Sequence, residues 1–311
     1  MRKISFCIPV FNEEENLHAL FGTLERFVNE YKAKYEFEFF FTDNHSTDNT
    51  WLIIQKKAQI DDRYKGIRFT RNIGFENSVF ANYLEVDGDA AIQFDADMQD
   101  PISVVHSFIK EWELGSKVVV GVRASRKENI FLNIFRKVGY RIINKLSELP
   151  IEKDVGDFRL IDREVIELLR LYRNPEPYLR GIISEFALKT SKVSYSRVKR
   201  VAGSSKFGFF ALIKFGLNGL FNYSNLPIKL ANFVALFSMI ASISLGAYYL
   251  VARFIQTDWP EGWASTYLIL LFGIAANSLF MSVILNFVKN SYKVLINSPR
   301  YIEEMRTNLN L

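Results

Sequence analysis

The feature that most limits the fold is a regular switch between two hydrophobic periods from residue 4 to residue 122. Short apolar runs at 4–10, 37–42, 66–70, 90–95 and 117–122 suit buried strands, and the stretches between them repeat at helical spacing. In 16–34, Leu17, Leu20, Phe21, Leu24, Phe27, Val28 and Tyr31 fall on one helical face. Further helices are expected at 48–58, 76–84 and 101–114. This alternation predicts an α/β domain, a mostly parallel sheet with helices on both faces. Ligands of such sheets bind beyond the carboxyl ends of the strands. The segments there are 9–14, 43–48, 71–74 and 95–100, and they hold most of the chemically versatile residues of this half.

Composition removes several classes of function. The 311 residues include one cysteine and three histidines, which excludes a disulfide framework and a cysteine zinc site. His18, His45 and His106 do not suffice for a His/Cys cage, so any metal takes oxygen ligands. A hydrophobic fraction of 49% with 23% charged residues excludes a disordered chain. The net charge of +5 is modest, which argues against a nucleic-acid partner. No Gly-x-Gly-x-x-Gly follows the first strand and no P-loop occurs; 203–206 resembles only a fragment of one.

Much of the apolar content lies after Leu226. The runs 230–252 and 264–288 contain no Asp, Glu, Lys or Arg. At ~1.5 Å per residue each is long enough to cross a hydrocarbon core of about 30 Å. Two buried helices of a soluble protein are the competing explanation, weakened because such helices rarely stay uncharged beyond ~18 residues. Trp259, Trp263 and Tyr267 sit where an aromatic belt would. Lys206, Lys214 and Lys229 precede the first run, and Lys289, Lys293, Arg300 and Arg306 follow the second. The positive-inside bias then puts both termini in the cytoplasm. The expected organisation is a cytosolic domain at 1–225 and a membrane domain at 226–311, with two transmembrane helices and a cytoplasmic tail, in the cell (inner) membrane. No signal peptide is expected, since 1–10 reads as a strand. Apolar stripes at 130–147 (Phe131, Ile134, Phe135, Val138, Ile142, Leu146) and 207–223 (Phe210, Ile213, Leu217, Leu220, Phe221) suit amphipathic interface helices. They would equally suit packing on the soluble domain or a partner.

Asp95-Ala96-Asp97 closes the strand at 90–95. Carboxylates this close repel unless a cation or proton lies between them. A hard divalent ion, Mg²⁺ or Mn²⁺, would keep waters and bind a substrate diphosphate there. A solvated acidic turn is the alternative. Asp100-Pro101 fits an ordinary helix start, with Asp100 as N-cap and Pro101 at the first position. In 43–48, Ser46, Thr47 or Asp48 is expected to cap the next helix while its neighbours receive the edge of a base. His45 is expected to be a loop residue rather than a ligand.

Four segments carry a more specific likeness: Ile8-Pro9-Val10-Phe11-Asn12-Glu13-Glu14, Thr42-Asp43-Asn44-His45-Ser46-Thr47-Asp48, Arg71-Asn72-Ile73-Gly74 and Asp95-Ala96-Asp97-Met98-Gln99-Asp100-Pro101. Gly121-Val122-Arg123, Gly156-Asp157-Phe158-Arg159-Leu160 and Arg200-Val201-Ala202-Gly203-Ser204-Ser205-Lys206-Phe207 extend it. In this order they resemble family 2 glycosyltransferases. With the two C-terminal apolar runs, the chain resembles polyprenyl-phosphate glycosyltransferases, relatives of dolichol-phosphate mannose synthases and bacterial bactoprenol glucosyltransferases. The resemblance implies a GT-A, Rossmann-like fold. It also implies inverting transfer of a sugar from a nucleotide-diphosphate donor, a UDP-sugar such as UDP-glucose, to polyprenyl (undecaprenyl) phosphate. The lipid-linked product would serve cell-surface glycan modification, and the protein would be a homo-oligomer, a tetramer by its relatives.

By motif position the resemblance puts Pro9, Phe11 and Glu13 around the nucleoside, with Asp43 on the base. Asp95, Asp97 and Gln99 would hold the Mg²⁺ or Mn²⁺ and the donor diphosphate, Asp97 most directly. Arg200 and Lys206 would bind the donor, and Asp157 with Arg159 would be catalytic. Asn44 stands where a second Asp is usual, His45 where a glycine is usual, and Phe11 where a tyrosine is common.

The acceptor sets its own demands. A phosphate monoester has a second pKa of about 6 and is already a competent nucleophile at cytosolic pH. The protein must bring two anions together, which needs cations on both. Arg123 and Arg136 are the candidates for the acceptor phosphate, although Arg136 fits a surface charge as well. Asp157 is then an orienting group or a base, with both roles open. A processive polysaccharide synthase would carry Gln-x-x-Arg-Trp, and no tryptophan here follows an arginine. A non-catalytic scaffold would not need Asp95, Asp97, Asp157, Arg200 and Lys206 together. A transporter would place charges within the apolar runs.

Overall fold

The computed structural model of the protein describes residues 1–123, 155–172, 179–198, 262–295 and 301–308, with isolated positions between 233 and 244 and at 299. Arg136, Arg200, Lys206 and the stripes at 130–147 and 207–223 lie outside the described residues. The first half alternates as its periodicity predicts: β1 (Arg2–Val10), α1 (Glu14–Tyr31), β2 (Tyr35–Asp43), α2 (Thr50–Ile60), β3 (Tyr64–Phe69), α3 (Phe75–Glu85), β4 (Ala90–Gln93), α4 (Ser103–Glu113) and β5 (Val118–Arg123). There follow β6 (Val155–Asp162), α5 (Arg163–Leu171), α6 (Leu179–Glu185), β7 (Thr190–Tyr195), α7 (Trp263–Leu295) and β8 (Glu303–Thr307).

The eight strands form one sheet in the order β7-β5-β6-β4-β1-β2-β3-β8. β1 pairs in parallel with β2 and β4, β2 with β3, and β5 with β7. β6 runs antiparallel to both β4 and β5, and β8 antiparallel to β3. The chain proceeds from β1 outward to β3, then returns to the other side of β1 for β4. That reversal opens a crevice above the carboxyl ends of β1 and β4.

Phenylalanines fill much of the core. Phe6 on β1 meets Phe27 of α1 edge-on at 5.7 Å, Phe39 of β2 at 5.6 Å and Phe94 at 6.1 Å. Each such side chain contributes roughly 1.5–3 kcal/mol on burial. Strands buried on both faces carry unbroken apolar runs, as Phe37 to Phe41 do, with the exception of Glu38. Glu38 is held by Lys65 at 3.1 Å and by the Asp87 backbone N–H at 2.9 Å.

The chain divides into two compact units. One comprises 1–141, 149–209 and 298–311, and the other 142–148 and 210–297. Residues 298–311 belong to the first unit, where β8 supplies an edge strand to the sheet. Among the described residues no helix is long and apolar enough to cross a membrane, so the fold does not support the two expected transmembrane helices. The run 230–252 lies almost wholly outside the described residues. The run 264–288 falls within α7, where exposed Thr266 and Asn277 interrupt the described apolar side chains.

Candidate active site

A cavity of about 360 Å³ opens at the crevice. It is lined by Pro9 at the end of β1, Phe11 and Glu13 after it, Asn44 after β2, Asn72, Gly74, Phe75 and Ser78 before and within α3, and Asp95 to Asp97 after β4. Sequence-distant loops are stitched together to make this wall. The Asn12 N–H donates to Ser46 Oγ at 2.9 Å, and the Thr47 N–H to Asn12 Oδ1 at 2.8 Å. The Glu13 N–H donates to Thr50 Oγ1 at 2.8 Å. Asn12 has a left-handed backbone, φ 54°, which asparagine tolerates better than most residues.

Asn44 joins the next pair of loops. Its amide donates to Asn72 Oδ1 at 3.0 Å and accepts from the Ile73 N–H at 2.7 Å. An aspartate here would lose the donor, so the exchange of acid for amide suits this loop. Asn72 Oδ1 also accepts from the Gly74 N–H at 2.9 Å, and Gly74, at φ 87°, holds a conformation open to glycine.

Asp43 is fully buried directly behind this wall and is not among the lining residues. It accepts from the Ser46 hydroxyl and from the Ser46 N–H at 3.2 Å, with Arg68 Nη1 at 3.5 Å. Burial still raises its pKa above the ordinary value, outweighing Ser46 and Arg68. The N-cap of α2 is Asn49, without a side-chain cap, which corrects the expected cap from Ser46, Thr47 or Asp48; Asp48 Oδ1, one residue earlier, accepts from the Thr50 N–H at 3.0 Å. His45 is a loop residue at φ 62°.

Asp95 and Asp97 face the cavity together. Burial, then Asp100, Asp97 and Asp157, push Asp95 up to about 8, against the pull of Arg197. Gln93 Nε2 donates to Asp95 Oδ1 at 2.8 Å, and the Gln99 N–H to Asp97 Oδ1 at 3.1 Å. The turn passes through Met98 at φ 50°, a strained conformation of the kind that gathers at functional sites. Gln99 does not line the cavity; its side-chain carbonyl accepts from Arg197 Nη1 at 2.9 Å.

Asp100 corrects an expectation. The N-cap of α4 is Ile102, without a side-chain cap. Asp100 is buried and receives two bonds from Arg197, at 2.8 and 2.9 Å, and one from the Tyr195 hydroxyl at 2.6 Å. The guanidinium fork suits a carboxylate better than a single backbone N–H does. Gly121 leaves room for Tyr195, since a Cβ there would lie 2.7 Å from its ring.

Beside this loop stands a cationic cluster on β5, β6 and α6. Arg180 donates to both oxygens of Asp157 at 2.8 Å, and Arg159 Nη2 lies 3.5 Å from the nearer one. Arg159 is buried and donates to the Gly156 carbonyl at 3.2 Å. Arg123 packs on Gly156, and its Nε lies 3.5 Å from the Tyr195 hydroxyl. Although burial works the other way, Arg180, then Arg159 and Arg123, hold Asp157 below the usual carboxylate range. Glu76, in the first turn of α3, is raised to about 7 by burial and then by Asp157. Arg180 and Glu76 were not among the expected site residues. Glu76 follows the Arg71–Gly74 motif closely, which was a usable signal, whereas nothing in the sequence around Arg180 marks it.

A mostly parallel sheet with a crevice at its reversal, paired carboxylates on that crevice and arginines beside it fit a glycosyltransferase of the GT-A type. The description "Glycosyl transferase family 2" matches residues 5–170, and the chain belongs to that family. It is 34% identical to the SfII prophage-derived bactoprenol glucosyl transferase of Shigella flexneri over 303 residues, 96% of this chain and 97% of the relative. It is 33% identical to the prophage bactoprenol glucosyl transferase homolog of Escherichia coli K12, over 96% of this chain and 98% of that one. A solved mannosyltransferase from Pyrobaculum calidifontis, in complex with GDP-Man and Mn²⁺, matches at TM-score 0.42 and 17% identity, covering 89% of this chain and 86% of that one.

Proposed function

We propose that the protein transfers a hexose, with inversion, from a UDP-sugar such as UDP-glucose to polyprenyl phosphate. The observation that carries this reading is the juxtaposition of the Asp95/Asp97 wall with the cluster of Arg123, Arg159 and Arg180. One side suits a cation-bound diphosphate and the other a phosphate nucleophile. The near full-length relatives described as bactoprenol glucosyl transferases support the same acceptor class.

Among the described residues no group of three or more His, Cys, Asp and Glu side chains forms a metal cage. Asp95 and Asp97 nevertheless fit Mg²⁺ or Mn²⁺, since such ions take one or two carboxylates and complete their shell with water and phosphate oxygens. Burial, and then the neighbouring carboxylates, disfavour the charged form of Asp95, and a cation bound on this wall would offset both. When bound, the ion would neutralise charge developing on the leaving diphosphate.

The protein's own groups supply the rest. Pro9, Phe11 and Glu13 enclose the nucleoside, with Asp43 behind the base. Arg123 and Arg159 draw the acceptor phosphate, joined in this proposal by Arg136, while Arg200 and Lys206 bind the donor. A phosphate oxygen forms the bond to the anomeric carbon as the carbon–oxygen bond to the diphosphate breaks, and the electron pair leaves with UDP. No proton need be removed from a dianionic acceptor, so Asp157 serves to orient its arginines and steady charge on the sugar ring.

The acceptor lipid calls for a membrane. The exposed apolar side chains of α7, including Phe272, Met281, Leu285 and Val288, support membrane contact by the unit at 210–297. The homo-oligomer implied by the family resemblance remains part of this proposal. Incubation of the purified chain with radiolabelled UDP-glucose, undecaprenyl phosphate and Mg²⁺ or Mn²⁺ is expected to move label into organic solvent. Asp97→Ala should abolish that transfer; label in the lipid phase from the variant removes Asp97 from the metal site. A panel of donors that all leave the lipid unlabelled refutes the activity.

A further inference from the structure

β8 comes from the far end of the chain, yet it reaches the nucleotide side of the sheet. It pairs with β3 in a register that places Arg68 opposite Met305 and Phe69 opposite Glu303. Glu304 is therefore the extra residue of a bulge. Bulges re-aim a side chain and are frequent beside active sites. Here the Glu304 carboxylate accepts from Arg68 Nε at 3.0 Å and lies 3.4 Å from His45 Nδ1.

Arg68 then points its other nitrogens into the loop behind the cavity. Nη2 donates to the Ser46 carbonyl at 3.1 Å, and Nη1 lies 3.5 Å from the buried Asp43 carboxylate. Ser46 is the same residue whose hydroxyl receives the Asn12 N–H of the cavity wall. Asn44, one residue from Asp43, lines the cavity itself. A continuous chain of contacts thus runs from Glu304 through Arg68 to the residues that shape the nucleoside end. The strand is fastened on both sides of Glu304. Trp51 Nε1 lies 3.2 Å from Met305 Sδ, and the Tyr301 hydroxyl donates to Glu85 at 2.6 Å.

We propose that Glu304 is a positioning residue for the nucleotide, acting through Arg68 on the loop at 43–48, so that the C-terminal strand sets the shape of the base-facing wall. This rests on the reading of the cavity as a nucleotide site. Arg68 reaches Ser46 and Asp43 besides Glu304, and without the Glu304 carboxylate its guanidinium is free to leave the Asp43–Ser46 loop. A strand contributed after the 210–297 unit then makes donor binding depend on the end of the chain being in place.

The test uses the full-length protein and UDP as the probe, by titration calorimetry, with steady-state kinetics alongside. Glu304→Gln keeps the shape of the side chain and removes its charge. It is expected to raise the Kd for UDP and the KM for the sugar donor by about 2- to 5-fold, the size of a partly exposed ion pair, with kcat unchanged. The preference for UDP over CDP and GDP should narrow. Arg68→Gln should act in the same direction, and Glu304→Gln combined with Arg68→Gln should be no worse than Arg68→Gln alone. Glu303→Gln, which weakens the pairing with Arg306, should bind as the unaltered protein does. If Glu304→Gln binds UDP with unchanged affinity and base preference, or if the two substitutions add, the positioning role is overturned while the nucleotide site stands. If the unaltered protein binds none of the three nucleotides, both fall.

Discussion

Asp157 gives both of its oxygens to Arg180, each at 2.8 Å. A carboxylate held in this way and kept below its usual range is a poor proton acceptor and a good brace for arginines. Asp157→Asn keeps the shape but weakens the fork, and with it the alignment of Arg159 and Arg180. We expect turnover to fall by on the order of 100-fold with little change in donor Kd; an Asn variant with normal kcat would remove Asp157 from the catalytic group. Glu76 beside it makes a separate prediction. Its ordinary value is 4.5 and its folded value about 7. Between those values the folded chain keeps a proton that the unfolded chain has lost. Stability therefore declines as pH rises through this window. Urea midpoints taken at about pH 5 and about pH 7.5 should show that decline in the unaltered chain, and Glu76→Gln should reduce it. An identical slope in the variant would refute the assignment.

At the scale of elements, hydrophobic period reported burial faithfully and pairing hardly at all. Strands such as β1 and β2 could be read because buried strands carry unbroken apolar runs, and α1 because its buried face repeats at helical spacing. The site was legible for a related reason. In a parallel sheet, polar loops at carboxyl ends converge, so Pro9–Glu13, Asn44, Gly74 and Asp95–Asp97 were already marked as neighbours. Period could not show that β6 runs antiparallel between β4 and β5 or that β8 closes the other edge. Both depend on which partner a strand finds, and that information lies in contacts between distant residues. Asp100 illustrates the same limit. Next to Pro101 it reads as a cap, yet Arg197, from beyond β7, takes it instead. Arg180 carries no local signature because its fork on Asp157 joins residues distant in the sequence.

For the whole molecule, the two ends of the chain are tied to one sheet. β1 starts at Arg2 and β8 ends at Thr307, with β2 and β3 between them in the hydrogen-bonded order. Everything at 210–297 leaves this unit and must return to it. A sheet cannot be divided by a bilayer, because its backbone groups have to be satisfied within one solvent environment. Any membrane crossing made by 210–297 must consequently occur an even number of times, zero included, and the two termini lie on the same side. We propose that this side is the cytoplasm, from the basic residues Lys289 and Lys293 at the end of α7. Fusions of a fluorescent protein and of alkaline phosphatase to each end, made one at a time in cells, test this directly. Both ends are expected to give fluorescence and no phosphatase activity. Fluorescence at one end with phosphatase activity at the other would mean an odd number of crossings, and the pairing of β8 with β3 in the same chain could not then persist in the cell.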